Sequence, residues 1–131
     1  MRFARAYLCF VGVMGLVFGI WYLVAPTALT DPTGFGALGP NALTDVRATY
    51  GGFQIGSGLF LLWSALDPAR VRAALLLQAL SIGAIGSCRL VGFAIDGSPN
   101  SFLLSAIVTE ITFTALALYA LRGLPSQPAA A

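Results

Sequence analysis

Residues 45–66, DVRATYGGFQIGSGLFLLWSAL, begin with charge and end as apolar sequence of the kind that lies in lipid. An apolar helix gains nothing from Arg47, Tyr50 and Gln54 unless these side chains meet partners on other helices. At helical spacing Arg47, Gly51, Gln54 and Gly58 recur every three or four residues and share one face. That face is polar and, at its glycines, flat enough for a second backbone to approach closely. The stretch therefore reads as one member of a packed set of membrane helices.

The composition agrees. Of 131 residues, 58% are hydrophobic and 9% charged, against about 25% charged in a soluble domain. Histidine and lysine are absent, which excludes imidazole-ligated haem and the common histidine metal sites. No cofactor and no metal site is expected. The net charge of +2 comes without a basic run, so nucleic acid is not an expected partner. Cys9 and Cys88 match no disulfide framework or metal-ligand spacing. They fall in opposite leaflets of the topology below and are expected as small buried apolar residues.

The sequence predicts an all-α integral membrane protein, a four-helix transmembrane bundle in a single domain over residues 1–124. Its helices are expected at about 3–25, 42–66, 68–95 and 99–122, followed by a short disordered tail at 125–131. The first run has about the ~20 residues a crossing needs. It is too long for a signal-peptide core, and Trp21 and Tyr22 at its end read as interfacial anchors. Pro26 stops it, and residues 27–40, rich in glycine and proline, read as a loop. Asn41 or Thr44 is expected to cap the second helix, with Asp45 in its first turn. Asp67-Pro68 is a cap followed by proline at the first helical position. Asp96-Gly97 is a turn signal, after which Ser98 is expected to cap and Pro99 to open the fourth helix, with Gly123 at its end. Candidate helix-packing glycines are Gly15 with Gly19, Gly52 with Gly56, and Gly83.

If the four helices alternate, Arg2, Arg5, Arg70, Arg72 and Arg122 fall on one side. By the positive-inside rule that side is cytoplasmic, and both termini are expected there. Asp31, Asp45 and Asp96 then lie outside. From a rise of about 1.5 Å per residue, Arg47 lies roughly one turn below the outer helix ends, Arg89 about 10 Å deep, and Gln54 and Glu110 near ~15 Å. A charge at the centre of a membrane helix costs roughly 2.5 to 3.5 kcal/mol on the lower scales, so Arg89 and Glu110 are expected to face inward and pair. The candidate polar cluster is Arg47, Tyr50, Gln54, Arg89, Asp96 and Glu110. It is either hydrogen-bonding glue that fixes helix register or a pocket open to the outer leaflet. One acid with no histidine, metal set or nucleophile–base pair does not form a catalytic constellation, and no catalytic residue is assigned.

The segments DVRATYGGFQIGSGLFLLW and CRLVGFAIDGSPN, together with Glu110, resemble a family of small bacterial four-helix membrane proteins known only as a domain of unknown function. The resemblance covers nearly the whole chain and is most specific at Arg47, Tyr50, Gly51 and Gly52, and at Arg89, Gly92, Asp96 and Gly97. It implies the same architecture and the same polar residues, and brings no activity with it. A looser similarity to DoxX-like proteins rests on fold class alone.

The function expected from the sequence is that of a small, multi-pass protein of the bacterial inner membrane. It would act without catalysis, as an accessory or interaction subunit of a membrane complex. The alternative is binding or transport of a lipid, small amphiphile or ion at the outer-leaflet polar cluster. Expected partners are the lipid bilayer and the helices of other membrane proteins or of further copies of the chain.

Overall fold

A computed structural model describes residues 1–97 and 99–125. These residues form helices joined by turns: α1 (Arg2–Val24), α2 (Thr27–Thr30), a 3-10 turn (Asp31–Thr33), α3 (Pro40–Val46), a π-helical segment (Arg47–Gly52), α4 (Phe53–Ala65), α5 (Pro68–Asp96) and α6 (Ser101–Arg122). Three of them, α1, α5 and α6, are long and apolar enough to cross a membrane. At 13 residues α4 alone is too short. It continues without a break through the π segment into α3, because Val46, Arg47, Gly52 and Phe53 at the joints all keep helical dihedrals.

Two antiparallel pairs make up the molecule, α1 with the α3–π–α4 rod and α5 with α6. The first pair packs on glycine. A Cβ at Gly58 would come within 2.7 Å of the Gly12 carbonyl oxygen, one at Gly19 within 2.9 Å of the Gly51 oxygen, and one at Gly15 within 3.1 Å of the Gln54 oxygen. Backbone therefore lies on backbone. Gly15 and Gly19 are spent inside the chain, so their strip is closed to another protein. The face bearing Gly51, Gln54 and Gly58 is the one turned to α1. Gly52 and Gly56 have no neighbour within 4 Å of an added Cβ, so the close packing expected of them does not occur within the chain. In the second pair Gly83 meets Thr114 and Gly86 meets Glu110.

The pairs join through a core of Ala4, Tyr7, Leu8, Leu61, Ala65, Val71, Ala74, Leu75, Ala79, Ala117 and Ala120. All of these lie toward one end of their helices, the end that also carries five of the seven arginines. There Arg5 Nε donates to the Ala65 carbonyl at 2.6 Å, Arg70 Nη2 to Trp63 at 3.3 Å and Arg72 Nη2 to Pro125 at 2.7 Å. The last carbonyls of a helix have no intrahelical donor and carry its negative pole, so a guanidinium satisfies both hydrogen bonding and charge. Arg70 also lies 3.7 Å above the Trp63 ring and pairs with Asp67. At the opposite end Arg47 Nε caps α1 in the same way, donating to Leu23 at 3.0 Å, and Asn100 Nδ2 donates to the Pro32 carbonyl.

Several local expectations need correction. The second helical stretch opens on Pro40 after Gly39, with no side-chain cap. Thr44 instead donates back to the Pro40 carbonyl. Asn100, not Ser98, caps the final helix by accepting from Leu103 N at 2.9 Å; Pro99 lies before the cap, and Ser98 is outside the described residues. Residues 27–33 are helical turns rather than loop. Cys9 and Cys88 are exposed on outer faces rather than buried. Of the expected tail only Pro125 is described.

Candidate functional site

The polar groups of the sequence do not all converge. Arg89 on α5 and Glu110 on α6 do. Arg89 Nε donates to both Glu110 carboxylate oxygens at 3.1 Å, and Nη2 donates to Oε1 at 2.7 Å. Small residues make the approach possible, since Gly86, one turn before Arg89, lies directly under the Glu110 side chain. The side chains are 27% and 12% exposed, respectively. A pair held by three hydrogen bonds has its charges compensated in place, which is what an apolar setting demands. Arg89 Nη1 takes no part in the pairing.

On the first helix pair, Tyr22 near the end of α1 stacks on Tyr50 of the π segment, with ring centroids 5.4 Å apart and planes inclined by 28°. The two helix pairs meet through the apolar core at the arginine-rich end, where the Tyr7 hydroxyl donates to the Phe113 carbonyl at 2.8 Å, and through Asn100 and Pro32 at the other. Tyr50 sits on six residues wound as π helix, a geometry often found at functional sites.

The other candidates lie elsewhere. Arg47 serves as the α1 cap described above. Gln54 contributes its backbone to the Gly15 contact. The Asp96 side chain folds back over Gly92 on its own helix and is exposed. Tyr22 was missed in the sequence because a tyrosine beside a tryptophan at a helix end reads as an interfacial anchor. Trp21 fits that description, being exposed, whereas Tyr22 turns inward onto Tyr50. Among the described residues no group of histidine, cysteine and carboxylate side chains is arranged to hold a metal ion.

The sequence profile of a family described as Domain of unknown function (DUF4345) matches residues 3–121. The chain belongs to this family. The match runs from the start of α1 to the last turn of α6, so the whole helical unit, including both members of the Arg89–Glu110 pair, is DUF4345 domain. Neither curated proteins nor solved structures include a match to this chain.

A shallow groove of about 330 Å³ also runs along α5 and α6, lined by Gly83, Gly86, Leu90, Ile111 and Leu118, with Glu110 at one end. Ser87 and Thr114 add hydroxyls to its mostly apolar walls, and Glu110 joins it to the Arg89–Glu110 pair. Arg89 and Glu110 link α5 to α6.

Proposed function

We propose that this DUF4345 chain is a four-pass protein of a bacterial inner membrane, both termini cytoplasmic, and acts as a non-catalytic accessory or interaction subunit. The fourth crossing is the α3–π–α4 rod, which runs from Pro40 to Ala65 and is long enough for the hydrocarbon layer when taken whole. The arginine-rich end fits the cytoplasmic side.

The observation that carries the interaction reading is the outward face of α4. Gly52, Gly56, Leu59 and Trp63 follow one another at helical spacing, all exposed, and the two glycines meet no atom of the chain. Bare glycine backbone in lipid forgoes contacts that a side chain would supply, whereas against a second helix it allows close packing. Every other glycine of α1, the π segment and α4 is already pressed against a neighbour. Glycine at 52 and 56 is thereby accounted for by a helix from another chain.

Because the space beside Gly56 is open, Gly56→Leu should leave the fold intact and disrupt only association. Membranes solubilised in a mild detergent and run on a native gel provide the test. The wild-type chain is expected in an assembly larger than one copy, and the variant as a single chain of unchanged thermal stability. A wild-type chain that runs alone, or a variant that assembles normally, contradicts the proposal.

A further inference from the structure

We propose that the arginine-rich end of the seam between α1 and α6 binds an anionic phospholipid, its phosphate received by Arg2, Arg72 and Arg122 and one acyl chain lying over the aromatic rings that continue inward from them. Two contacts gather these arginines at the end of α6. The Phe3 ring, next to Arg2, stands edge-on to Tyr119 with centroids 5.5 Å apart, and Tyr119 precedes Arg122 by one turn. Arg72 Nη2 donates to the Pro125 carbonyl at 2.7 Å, just past Arg122. The starts of α1 and α5 are thus both held against the end of α6.

Positive charge is left over here. Of the five arginines at this end, only Arg70 meets a carboxylate among the described residues, that of Asp67. Arg5 and Arg72 donate to backbone carbonyls, which carry only partial charge. Arg2 and Arg122 are exposed and make no hydrogen bond or ion pair among the described residues. A planar guanidinium matches a phosphate through parallel hydrogen bonds, and basic groups at a membrane surface attract anionic lipids. A zwitterionic head would bring an ammonium to the same arginines, so the anionic head is the better fit.

The rings that lie inward select a lipid over a free phosphate. From Phe3 they run to Tyr7 at 6.5 Å, from Tyr7 to Phe113 at 6.4 Å and from Phe113 to Phe10 at 6.1 Å between centroids. Phe3 and Phe10 lie about 10 Å apart along α1, and both are exposed, as is Tyr119. In the four-pass arrangement this strip begins at the headgroup level and ends within the hydrocarbon, the course of an acyl chain below its phosphate. The rings offer that chain a large apolar surface. The site rests on the chain crossing the membrane, as proposed above, and is independent of the accessory role and of the Gly56 face.

Arg2→Gln with Arg122→Gln removes the two arginines that have no described partner and leaves Arg5, Arg70 and Arg72 to hold the topology. Purified protein is equilibrated with an equal mixture of phosphatidylglycerol and phosphatidylethanolamine of matched chains, and the lipid it retains is measured by native mass spectrometry. Wild type is expected to hold phosphatidylglycerol in preference, and the variant to lose about tenfold of that preference. Equal retention of the two lipids by wild type, or an unchanged preference in the variant, overturns the proposal. Displacement of the lipid by glycerol 3-phosphate at millimolar concentration also overturns it, because the rings then hold no chain. The variant's thermal midpoint in lipid-free detergent is expected to equal that of wild type; a fall contradicts the partnerless placement of Arg2 and Arg122 on which the site depends. Topology reporters separate the two readings, since a four-pass chain without lipid preference refutes this site alone.

Discussion

At the scale of single residues, the Arg89–Glu110 pair joins α5 to α6 through three hydrogen bonds. It is also the part of the site most legible in the sequence. Two opposite charges inside apolar helices have few partners other than each other, and their estimated depths lay within a side chain's reach. Tyr22 was not legible, because nothing in WYLV distinguishes a tyrosine that faces lipid headgroups from one that stacks on another ring. Asp96 and Gln54 were expected in the cluster on helical phase. Phase fixes direction but not reach, and the Asp96 side chain returns to its own helix at Gly92. If the pair holds α5 and α6 in register, Arg89→Met strands a carboxylate and Glu110→Leu strands a guanidinium, each lowering stability. The double variant should recover much of the loss. Thermal unfolding in nanodiscs of the wild type, both single variants and the double variant should give a coupling of roughly 1–3 kcal/mol. Additive losses mean that the two side chains do not depend on each other.

At the scale of elements, the helix pair α1 with α3–π–α4 depends on backbone contact through glycine. The sequence displayed two glycine faces on the second helix, Gly51 with Gly58 and Gly52 with Gly56, and could not rank them. A small-xxx-small pattern says that two backbones can approach, not which helix supplies the second one. The π segment was equally hidden. Its extra residue per turn has no sequence signature beyond the adjacent glycines Gly51 and Gly52. The two faces now separate by experiment. Gly58→Ala places a methyl 2.7 Å from the Gly12 carbonyl oxygen and 3.1 Å from Leu16 N, both fixed backbone atoms, and should destabilise by about 1–3 kcal/mol. Gly56→Ala meets nothing and replaces a poor helix former, so the isolated chain should gain about 0.5–1 kcal/mol. Both are read as shifts in the thermal midpoint of the monomer in detergent. A Gly58→Ala protein as stable as wild type would show that α1 and α4 do not lie as close as described.

At the scale of the whole molecule, the arrangement is up and down, with every arginine but Arg47 and Arg89 at one end. The turns on either side of α5 were readable because the cap at Asp67 with Pro68 and the glycine at Gly97 punctuate the chain there. Helix starts were less so: Gly39-Pro40 and Asn100 each opened a helix a few residues from the expected place, since several capping residues lie close together in both stretches. The four-pass proposal rests on the α3–π–α4 rod behaving as one crossing, although none of its three pieces is long enough alone. Topology reporters decide this. Fusions at Asp67 and after Arg122 are expected to read cytoplasmic, and fusions at Gly34 and Gly97 to read outside. If the rod did not cross, Gly34 and Asp67 would report the same side and the end of α6 would lie opposite the start of α1. A reporter after Arg122 that reads outside contradicts the four-pass account.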